Sequence, residues 1–233
     1  VCIAFLIASL NELDMLAVDI GNAYLNAPCR KKIWTFAGKE FGDEDQGTVM
    51  VIVQALYGLK SSGASWRNMF MQTLLELGYT SSLADPDIYL RRNTKPDGTE
   101  YYELLLVYVD GTLCVSHDPM ATMNKIGEVY RLKEGSLGPR TRYLGAKVAK
   151  YQCDDGSEHW SLSARDYVKA AVKNLEMVLA SEGQTLRGKG LRPMKETYRP
   201  EIDNTPELDD ELATQYQHLI GVLRWAVELG RID

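Results

Sequence analysis

Two aspartates in this sequence stand where carboxylates could act together: Asp19 ends a short apolar run, and Asp110 precedes a glycine. They would face each other if their strands were neighbours in one sheet, which the sequence alone does not establish. A facing pair offers only anionic oxygens, the donors that hard Mg²⁺ prefers when it holds substrate phosphates. Two such ions can clamp the attacking and leaving oxygens of phosphoryl transfer. Taken alone, the two aspartates are better explained as ordinary strand-end and turn residues.

Other patterns of metal ligands or nucleophiles are weak in this sequence. The four cysteines are too few and too scattered for a disulfide framework, which favours a reduced, intracellular protein. No histidine lies near a cysteine in zinc-ligand spacing. The net charge of -6 argues mildly against nucleic-acid binding through overall charge, although residues 124–150 carry seven basic side chains against two acidic ones. This basic run fits a solvated face as well as a phosphate track.

Helices that would position the two aspartates follow from apolar residues that recur every three or four positions. The clearest lies over residues 62–77, with Trp66 expected in the core rather than as a stacking platform. The first ten residues are short of the roughly 20 that span a bilayer, so they predict a buried helix and no membrane anchor. The predicted helices cover residues 1–10, 62–77, 119–132, 164–179 and 208–229.

Strands are predicted from β-branched and aromatic runs that are bounded by turn residues. Asp110 and Gly111 separate two apolar runs, a strong hairpin signal because glycine readily adopts the positive φ of a primed turn. This places Asp110 at a hairpin tip. The predicted strands cover residues 16–20, 33–36, 49–53, 87–92, 101–109, 111–115, 142–151 and 159–162. The order of elements predicts an α+β fold, an antiparallel sheet with helices packed on one face.

Six segments in register resemble the Ty1/copia-type reverse transcriptases, which argues against coincidence. They read VDIGNAYLN, LYGLK, ADPD, LVYVD, YLG and YQHLIG, at residues 18–26, 56–60, 84–87, 106–110, 143–145 and 216–221. The resemblance runs through nearly the whole chain. It implies a polymerase-like palm with partial fingers and the start of a thumb-like region. The implied activity is RNA-directed DNA polymerase, a nucleotidyltransferase.

The resemblance also implies a set of catalytic residues. In the family, the aspartate of the first motif and the two aspartates of a Tyr-Val-Asp-Asp hairpin hold two Mg²⁺ ions. The matching positions here are Asp19, Asp110 and Gly111. Asp19 and Asp110 are thus implied as catalytic metal ligands, with the backbone carbonyl of Ile20 as a further ligand. The implied reaction is attack of a primer 3′-hydroxyl on the α-phosphate of a deoxynucleotide.

Four further residues are implied in nucleotide binding. Tyr24, five residues after Asp19, matches the aromatic gate that excludes a 2′-hydroxyl, and an aromatic core residue is the competing interpretation. Gly58 would permit close backbone approach, with a helix-initiating turn as the competing interpretation. Lys60 could meet phosphate, and a solvated lysine explains it about equally well. Tyr108 belongs to the hairpin motif and is expected beside the nucleotide.

Gly111 is where this sequence departs from the family, because it removes one carboxylate from the expected site. Loss of an electrostatic or metal-positioning group commonly costs on the order of a hundredfold or more in rate. Two functions therefore stay open. One is a polymerase domain that is impaired in this copy, and the other is a non-catalytic remnant or a palm that only binds nucleic acid.

The expected domain organisation is a palm with partial fingers over residues 1–183, a basic linker over 184–207, and a C-terminal helix over 208–233. That helix would lead toward a missing connection and RNase H region, so a fragment of a longer polyprotein is predicted. The implied partners are an RNA template with a DNA primer, deoxynucleoside triphosphates, and flanking RNase H and integrase domains, without a membrane. The implied location is intracellular, in a cytoplasmic particle or the nucleus.

Overall fold

The predicted helices and strands occur in the expected order, together with elements that the sequence did not predict, including a short helix at Ala23–Asn26 and a strand at Thr80–Ser81. The computed structural model describes residues 1–139, 141–181, 183–186, 188, 199–202 and 204–229. The α-helices in these ranges are α1 (Cys2–Leu10), α2 (Ala23–Asn26), α3 (Ser62–Glu76), α4 (Pro119–Val129), α5 (Arg165–Ser181) and α6 (Asp210–Glu228). The strands are β1 (Asp14–Asp19), β2 (Trp34–Phe36), β3 (Val49–Val51), β4 (Thr80–Ser81), β5 (Ile88–Thr94), β6 (Glu100–Tyr108), β7 (Gly111–Ser116), β8 (Arg142–Tyr143), β9 (Ala146–Gln152) and β10 (Glu158–Ser163). Within the described part of the chain, no helix combines the length and apolar character needed to cross a membrane.

The sheet that holds the candidate site has the strand order β1-β7-β6-β5-β4, and every neighbouring pair is antiparallel. Strands β5 and β6 form the hairpin that the turn residues predict. Strands β6 and β7 form a second hairpin, in which Tyr108 pairs with Gly111. The connection is therefore Val109 and Asp110 alone, which confirms that Asp110 lies at a hairpin tip.

One face of this sheet is buried beneath helices α3 and α4. The cluster that joins them includes Val18, Ile20, Leu105, Cys114, Trp66, Phe70, Met123 and Ile126. Full burial of a large apolar side chain contributes roughly 1.5–3 kcal/mol to stability. Because successive side chains of a strand alternate between faces, Asp19, Tyr108 and Gly111 belong to the opposite face. The predicted α+β class is confirmed, and so is the position of Trp66 in the core.

Helix α4 begins as its sequence predicts. Asp118 caps it by accepting a hydrogen bond from the Ala121 N–H at 3.2 Å, and Pro119 occupies the first helical position. The helix ends at Val129, three residues before the predicted end, because Tyr130 is extended. The following residues, 131–138, run back along the free edge of β1, as isolated bridges from Leu132 to Ile20 and from Gly138 to Ala17 show.

A buried carboxylate lies at the end of the sheet away from the Val109–Asp110 turn. Glu103 is 1% exposed and accepts hydrogen bonds from five side chains. The donors are Tyr79 OH, Arg91 Nη2 at 2.9 Å, Asn93 Nδ2 at 3.1 Å, Ser116 Oγ at 2.6 Å and Thr122 Oγ1 at 2.8 Å. Burial raises the pKa of the Glu103 carboxyl, and the Ser116 and Thr122 hydroxyls oppose the shift. This network ties β5, β6 and β7 to α4.

A separate two-stranded hairpin is formed by β2 and β3, as predicted. Trp34 pairs with Val51, and Phe36 pairs with Val49. The Trp34 and Phe36 rings meet edge to face, with centroids 5.6 Å apart. This contact adds to the backbone pairing of the hairpin.

The predicted single strand over residues 142–151 is wrong, because the chain turns back at Leu144 and Gly145. Both residues have a positive φ, of 50° and 92°, as a two-residue primed turn requires. Tyr143 consequently pairs with Ala146, and β8 and β9 form a hairpin. Alternation of apolar residues continues through both strands, so the hydrophobic pattern alone did not show the break. The Trp225 indole donates to the Leu144 carbonyl at 3.0 Å and holds this turn.

Contacts divide the chain into two units, mainly residues 3–140 with 151–160 and residues 141–150 with 161–233. In the second unit, α5 and α6 pack against each other, and Tyr167 OH donates to the Val222 carbonyl at 3.2 Å. The basic Gly-containing stretch over residues 184–192, predicted as a linker, lies largely outside the described residues. The predicted domain limits at residues 183 and 207 stay predictions.

Candidate active site

Asp19 and the Asp110 turn lie side by side at one end of the sheet. Strand β1 pairs with β7 so that Asp19 is directly opposite Gly111. The next residue, Ile20, donates its N–H to the Asp110 carbonyl at 2.8 Å. Both aspartates are half-buried. The adjacency that the sequence left open is therefore present, and Asp19, Ile20, Tyr108, Asp110 and Gly111 form one group.

Residue 111 has room for a side chain that points at the Asp19 carboxylate. A Cβ built on Gly111 would lie 3.5 Å from Asp19 Oδ1 and 3.4 Å from the Tyr108 carbonyl oxygen. Both distances are ordinary van der Waals contacts. Among the described residues, no group of three or more His, Cys, Asp or Glu side chains is placed to hold a metal ion. Asp19 and Asp110 therefore flank a position that lacks a side chain and has room for a Cβ.

The strained backbone conformation of the hairpin tip is that of Val109. Val109 has a φ of 58°, a left-handed conformation that costs a residue with a Cβ roughly 1–2 kcal/mol. The prediction that Gly111 supplies the positive φ is wrong, because Gly111 is already the first residue of β7 and the loop is one residue earlier. Trp66 supports the strained residue, since its indole Nε1–H donates to the Val109 carbonyl at 2.7 Å. The sequence placed Trp66 in the core but did not reveal this bond.

The backbone of Asp19 is held on both sides. On the edge away from β7, the Lys133 N–H donates to the Asp19 carbonyl at 2.8 Å, and the Gly21 N–H donates to the Arg131 carbonyl at 2.9 Å. Ser136 Oγ is also within hydrogen-bond distance of the Asp19 backbone. The sequence has no local signal for this pairing: the segment lies within the basic run over residues 124–150, and the helix predicted over residues 119–132 includes its first two residues.

Tyr24 packs in the core and also borders a cavity. It is half-buried, packs against the core cluster, and stacks on Tyr57 with ring centroids 4.6 Å apart. It also lines a cavity of about 190 Å³ that reaches Tyr108 and Val109 of the hairpin tip. A Cβ on Gly63 would lie 3.6 Å from Tyr24 OH, so α3 approaches the ring closely.

Gly58 and Lys60 lie in the turn before α3, as their sequence context predicts. Gly58 has a φ of 96° and open space around its Cα, so glycine is needed there for backbone conformation and not for a close approach within the chain. Ser62 Oγ closes the turn by donating to the Leu56 carbonyl at 2.6 Å. Lys60 is exposed. The turn is joined to Tyr24 through the stacked ring of Tyr57.

An ion pair at the rim of the Tyr24 cavity was not predicted. Arg67 Nε donates to Asp87 Oδ1 at 2.7 Å, and both residues line the cavity. The hydrogen bond from Arg67 to Asp87 raises the pKa of that guanidinium. Because both side chains are close to half exposed, the pair contributes at most about 1 kcal/mol to stability. Its effect is to fix two opposite charges beside Tyr24.

The antiparallel sheet, the helices on it and the two carboxylates at its hairpin end have the form of a polymerase-like palm. Residues 2–185 match the family described as reverse transcriptase (RNA-dependent DNA polymerase), and the chain belongs to this family. The fold class and the resemblance to Ty1/copia-type enzymes are both confirmed.

Two curated relatives come from copia-type transposons of Arabidopsis thaliana. The retrovirus-related Pol polyprotein from transposon RE1 is 23% identical over 212 residues, which cover 89% of this chain and 13% of that polyprotein. The corresponding polyprotein from transposon RE2 is 22% identical over 212 residues, with the same coverage. The chain therefore spans about an eighth of the length of the curated relatives it matches.

Proposed function

We propose that this chain is the reverse-transcriptase palm of a copia-type retrotransposon polyprotein, and that Gly111 impairs its RNA-templated DNA synthesis. The observation that supports this proposal most is the direct pairing of Asp19 with Gly111, beside the Asp110 turn. Asp19 and Asp110 are thus backbone neighbours at one end of the sheet, and residue 111, which has no side chain, has room for a Cβ. The proposed limits are residues 1–183 for the palm with partial fingers, 184–207 for the linker, and 208–233 for a C-terminal helix.

The donors present suit a hard divalent cation such as Mg²⁺, because they are oxygens and two of them are anionic. Asp19, Asp110 and the Ile20 carbonyl would hold it. A bound divalent ion polarises phosphoryl oxygens and neutralises charge that develops in phosphoryl transfer. The pair of ions expected from the family would lack the ligand at residue 111. The chain therefore fits one ion better than two, which is the physical basis of the proposed impairment.

Nucleotide binding is proposed for Tyr24, Tyr108, Gly58 and Lys60. Tyr24 and Tyr108 line the same cavity, so both rings can border a sugar or base there. Lys60 is exposed and can meet phosphate as a point charge.

The proposed reaction forms a bond between the primer 3′-oxygen and the α-phosphorus of the nucleotide and breaks the bond from that phosphorus to pyrophosphate, while the hydroxyl proton passes to solvent.

The proposed partners are an RNA template with a DNA primer and deoxynucleoside triphosphates. The relatives are named as Pol polyproteins, which supports flanking domains in the same polypeptide. RNase H and integrase are the domains proposed. A second candidate function is a palm that binds nucleic acid without catalysis. Gly111 is the observation that favours it, since one carboxylate is missing while the pairing around it is intact.

Primer extension on an RNA template, with the natural flanking segments present, tests the proposal. Gly111→Asp restores the third carboxylate, Gly111→Asn adds a side chain of the same size without charge, and Asp19→Ala is the blank. We expect Gly111→Asp to extend primer about a hundredfold faster than the natural sequence and than Gly111→Asn. Equal extension by the natural sequence, Gly111→Asp and Gly111→Asn would show that two carboxylates suffice. No extension by Gly111→Asp would favour the non-catalytic palm.

A further inference from the structure

The free edge of β1 is paired by an irregular segment and not by a regular strand. In an antiparallel strand, alternate residues direct their backbone N–H and C=O groups to opposite edges. Ile20 donates toward β7, to the Asp110 carbonyl. Ala17, Asp19 and Gly21 therefore direct their groups to the other edge. Residues 131–138 supply partners there, and Ala17 and Gly138 exchange two hydrogen bonds of 3.0 and 3.1 Å.

The segment leaves the edge of β1 at the level of Asp19. The Ser136 N–H bonds to the Lys133 carbonyl at 3.0 Å, which closes a turn and removes the backbone from the strand edge. The Ser136 side chain takes the place of a backbone partner at Asp19. Its Oγ accepts the Asp19 N–H at 3.1 Å and donates to the Asp19 carbonyl at 3.2 Å. A hydroxyl has one donor and two acceptor sites, so it can make both bonds at once.

We propose that Ser136 is a positioning residue for Asp19, holding the backbone that carries the metal-binding carboxylate. This inference rests on the proposed function of Asp19. Ser136 is buried, so water has little access to replace its hydroxyl. Asp19 is held by β7 through the residues on either side of it and by Ser136 at its own N–H. Without the hydroxyl, the Asp19 N–H loses its partner, and the bond from the Lys133 N–H to the Asp19 carbonyl is the direct backbone bond that still holds this residue on that edge.

The first measurement is amide hydrogen exchange at single residues, which reports on the hydrogen bond from the Asp19 N–H to Ser136 Oγ and requires no catalytic activity. In Ser136→Ala, we expect exchange at the Asp19 N–H to rise about tenfold or more. The amides of Ala17 and Ile20, which donate to Gly138 and Asp110, serve as internal references and should change little. An equal rise at all three amides would indicate general destabilisation and overturn the positioning role. So would an unchanged Asp19 amide.

The second measurement is Mn²⁺ binding, followed by electron paramagnetic resonance in the Gly111→Asp protein. Adding Ser136→Ala should weaken Mn²⁺ binding about tenfold, the usual effect of losing a group that orients a metal ligand. Ser136→Thr keeps the hydroxyl and should restore the affinity. Thr73→Val is the matched control, because it removes another buried hydroxyl, which bonds Tyr130 OH at 2.6 Å in the helical layer. It should leave Mn²⁺ affinity unchanged.

The outcomes separate this inference from the proposed function. If Gly111→Asp with Ser136 intact binds no Mn²⁺, the assignment of Asp19 and Asp110 as metal ligands fails. If it binds Mn²⁺ and Ser136→Ala binds equally well, Ser136 is only a structural support. An equal loss of affinity in Thr73→Val would also overturn the inference. In primer extension, Ser136→Ala should lower kcat about tenfold or more and leave the KM for the nucleotide nearly unchanged.

Discussion

The indole Nε1–H of Trp66 donates a hydrogen bond to the Val109 carbonyl oxygen at 2.7 Å. This bond joins helix α3 to the strained residue of the hairpin tip. Trp66 is fully buried, between Phe70, on which it stacks, and Tyr130, which it meets edge to face. The position of Asp110, one residue after Val109, thus depends on a side chain 44 residues earlier in the chain.

Trp66→Phe should destabilise the protein by about 2–4 kcal/mol. Phenylalanine keeps an aromatic ring, but it leaves the Val109 carbonyl without its indole donor and creates a small cavity. Equilibrium unfolding in urea measures the effect. Phe70→Leu is the control, because it opens space in the same cluster without touching the turn. Faster amide exchange at the hairpin tip should accompany Trp66→Phe alone, and its absence would contradict the proposed support of the turn.

Val109→Gly should be more stable than Val109→Ala by about 1 kcal/mol. Glycine adopts the φ of 58° without a Cβ clash, whereas alanine retains the clash. The energy of this clash exceeds the additional conformational entropy that glycine loses on folding. The free energies of unfolding of the two variants provide the comparison. An alanine variant as stable as the glycine variant would show that the left-handed conformation at this residue carries no strain.

Stability should depend on pH through Glu103. Its pKa is raised by burial, so the folded state holds the Glu103 proton more tightly than the unfolded state does. The stabilisation from protonation is complete below the ordinary carboxyl pKa and is lost as pH rises through the raised value. The wild-type protein should therefore lose stability relative to Glu103→Gln as the pH rises from about 4, the ordinary carboxyl pKa, through the raised pKa of Glu103. A difference between the two proteins that is constant with pH would refute the shift.

Tyr24→Val in the Gly111→Asp protein should relax discrimination against ribonucleotides. If Tyr24 borders the sugar in its cavity, a smaller side chain admits a 2′-hydroxyl, and the preference for deoxynucleotides should fall about tenfold or more. The ratio of kcat/KM values for the two nucleotide classes measures this. Tyr57→Val is the control, because it removes the ring stacked on Tyr24 but leaves Tyr24 in place. Lost stability with unchanged discrimination would make Tyr24 a core residue only.

Most of the secondary structure was predictable because its signals are local. The Asp118 cap, the apolar face of α3 and the turn residues between β5 and β6 each act over a few residues, and each appears where the sequence predicts it. Two of the errors concern turns. Residues 142–151 bend at Leu144, and Gly111 leaves the positive φ to Val109. In both cases, strand pairing decides which residues form the loop. The alternation of apolar and polar residues along one strand does not show which residues of the neighbouring strand it pairs with.

Local sequence signals predict most of the helices and strands, the Asp110 hairpin tip, the lack of a carboxylate at Gly111 and the motifs of a reverse transcriptase. Strand pairing and packing establish that Asp19 lies opposite Gly111, that residue 111 has room for a Cβ, and that Ser136 bonds the Asp19 backbone. The physical reason is sequence distance. Local propensity and side-chain period act within one element, whereas these contacts join residues roughly a hundred positions apart whose pairing depends on packing of the whole sheet.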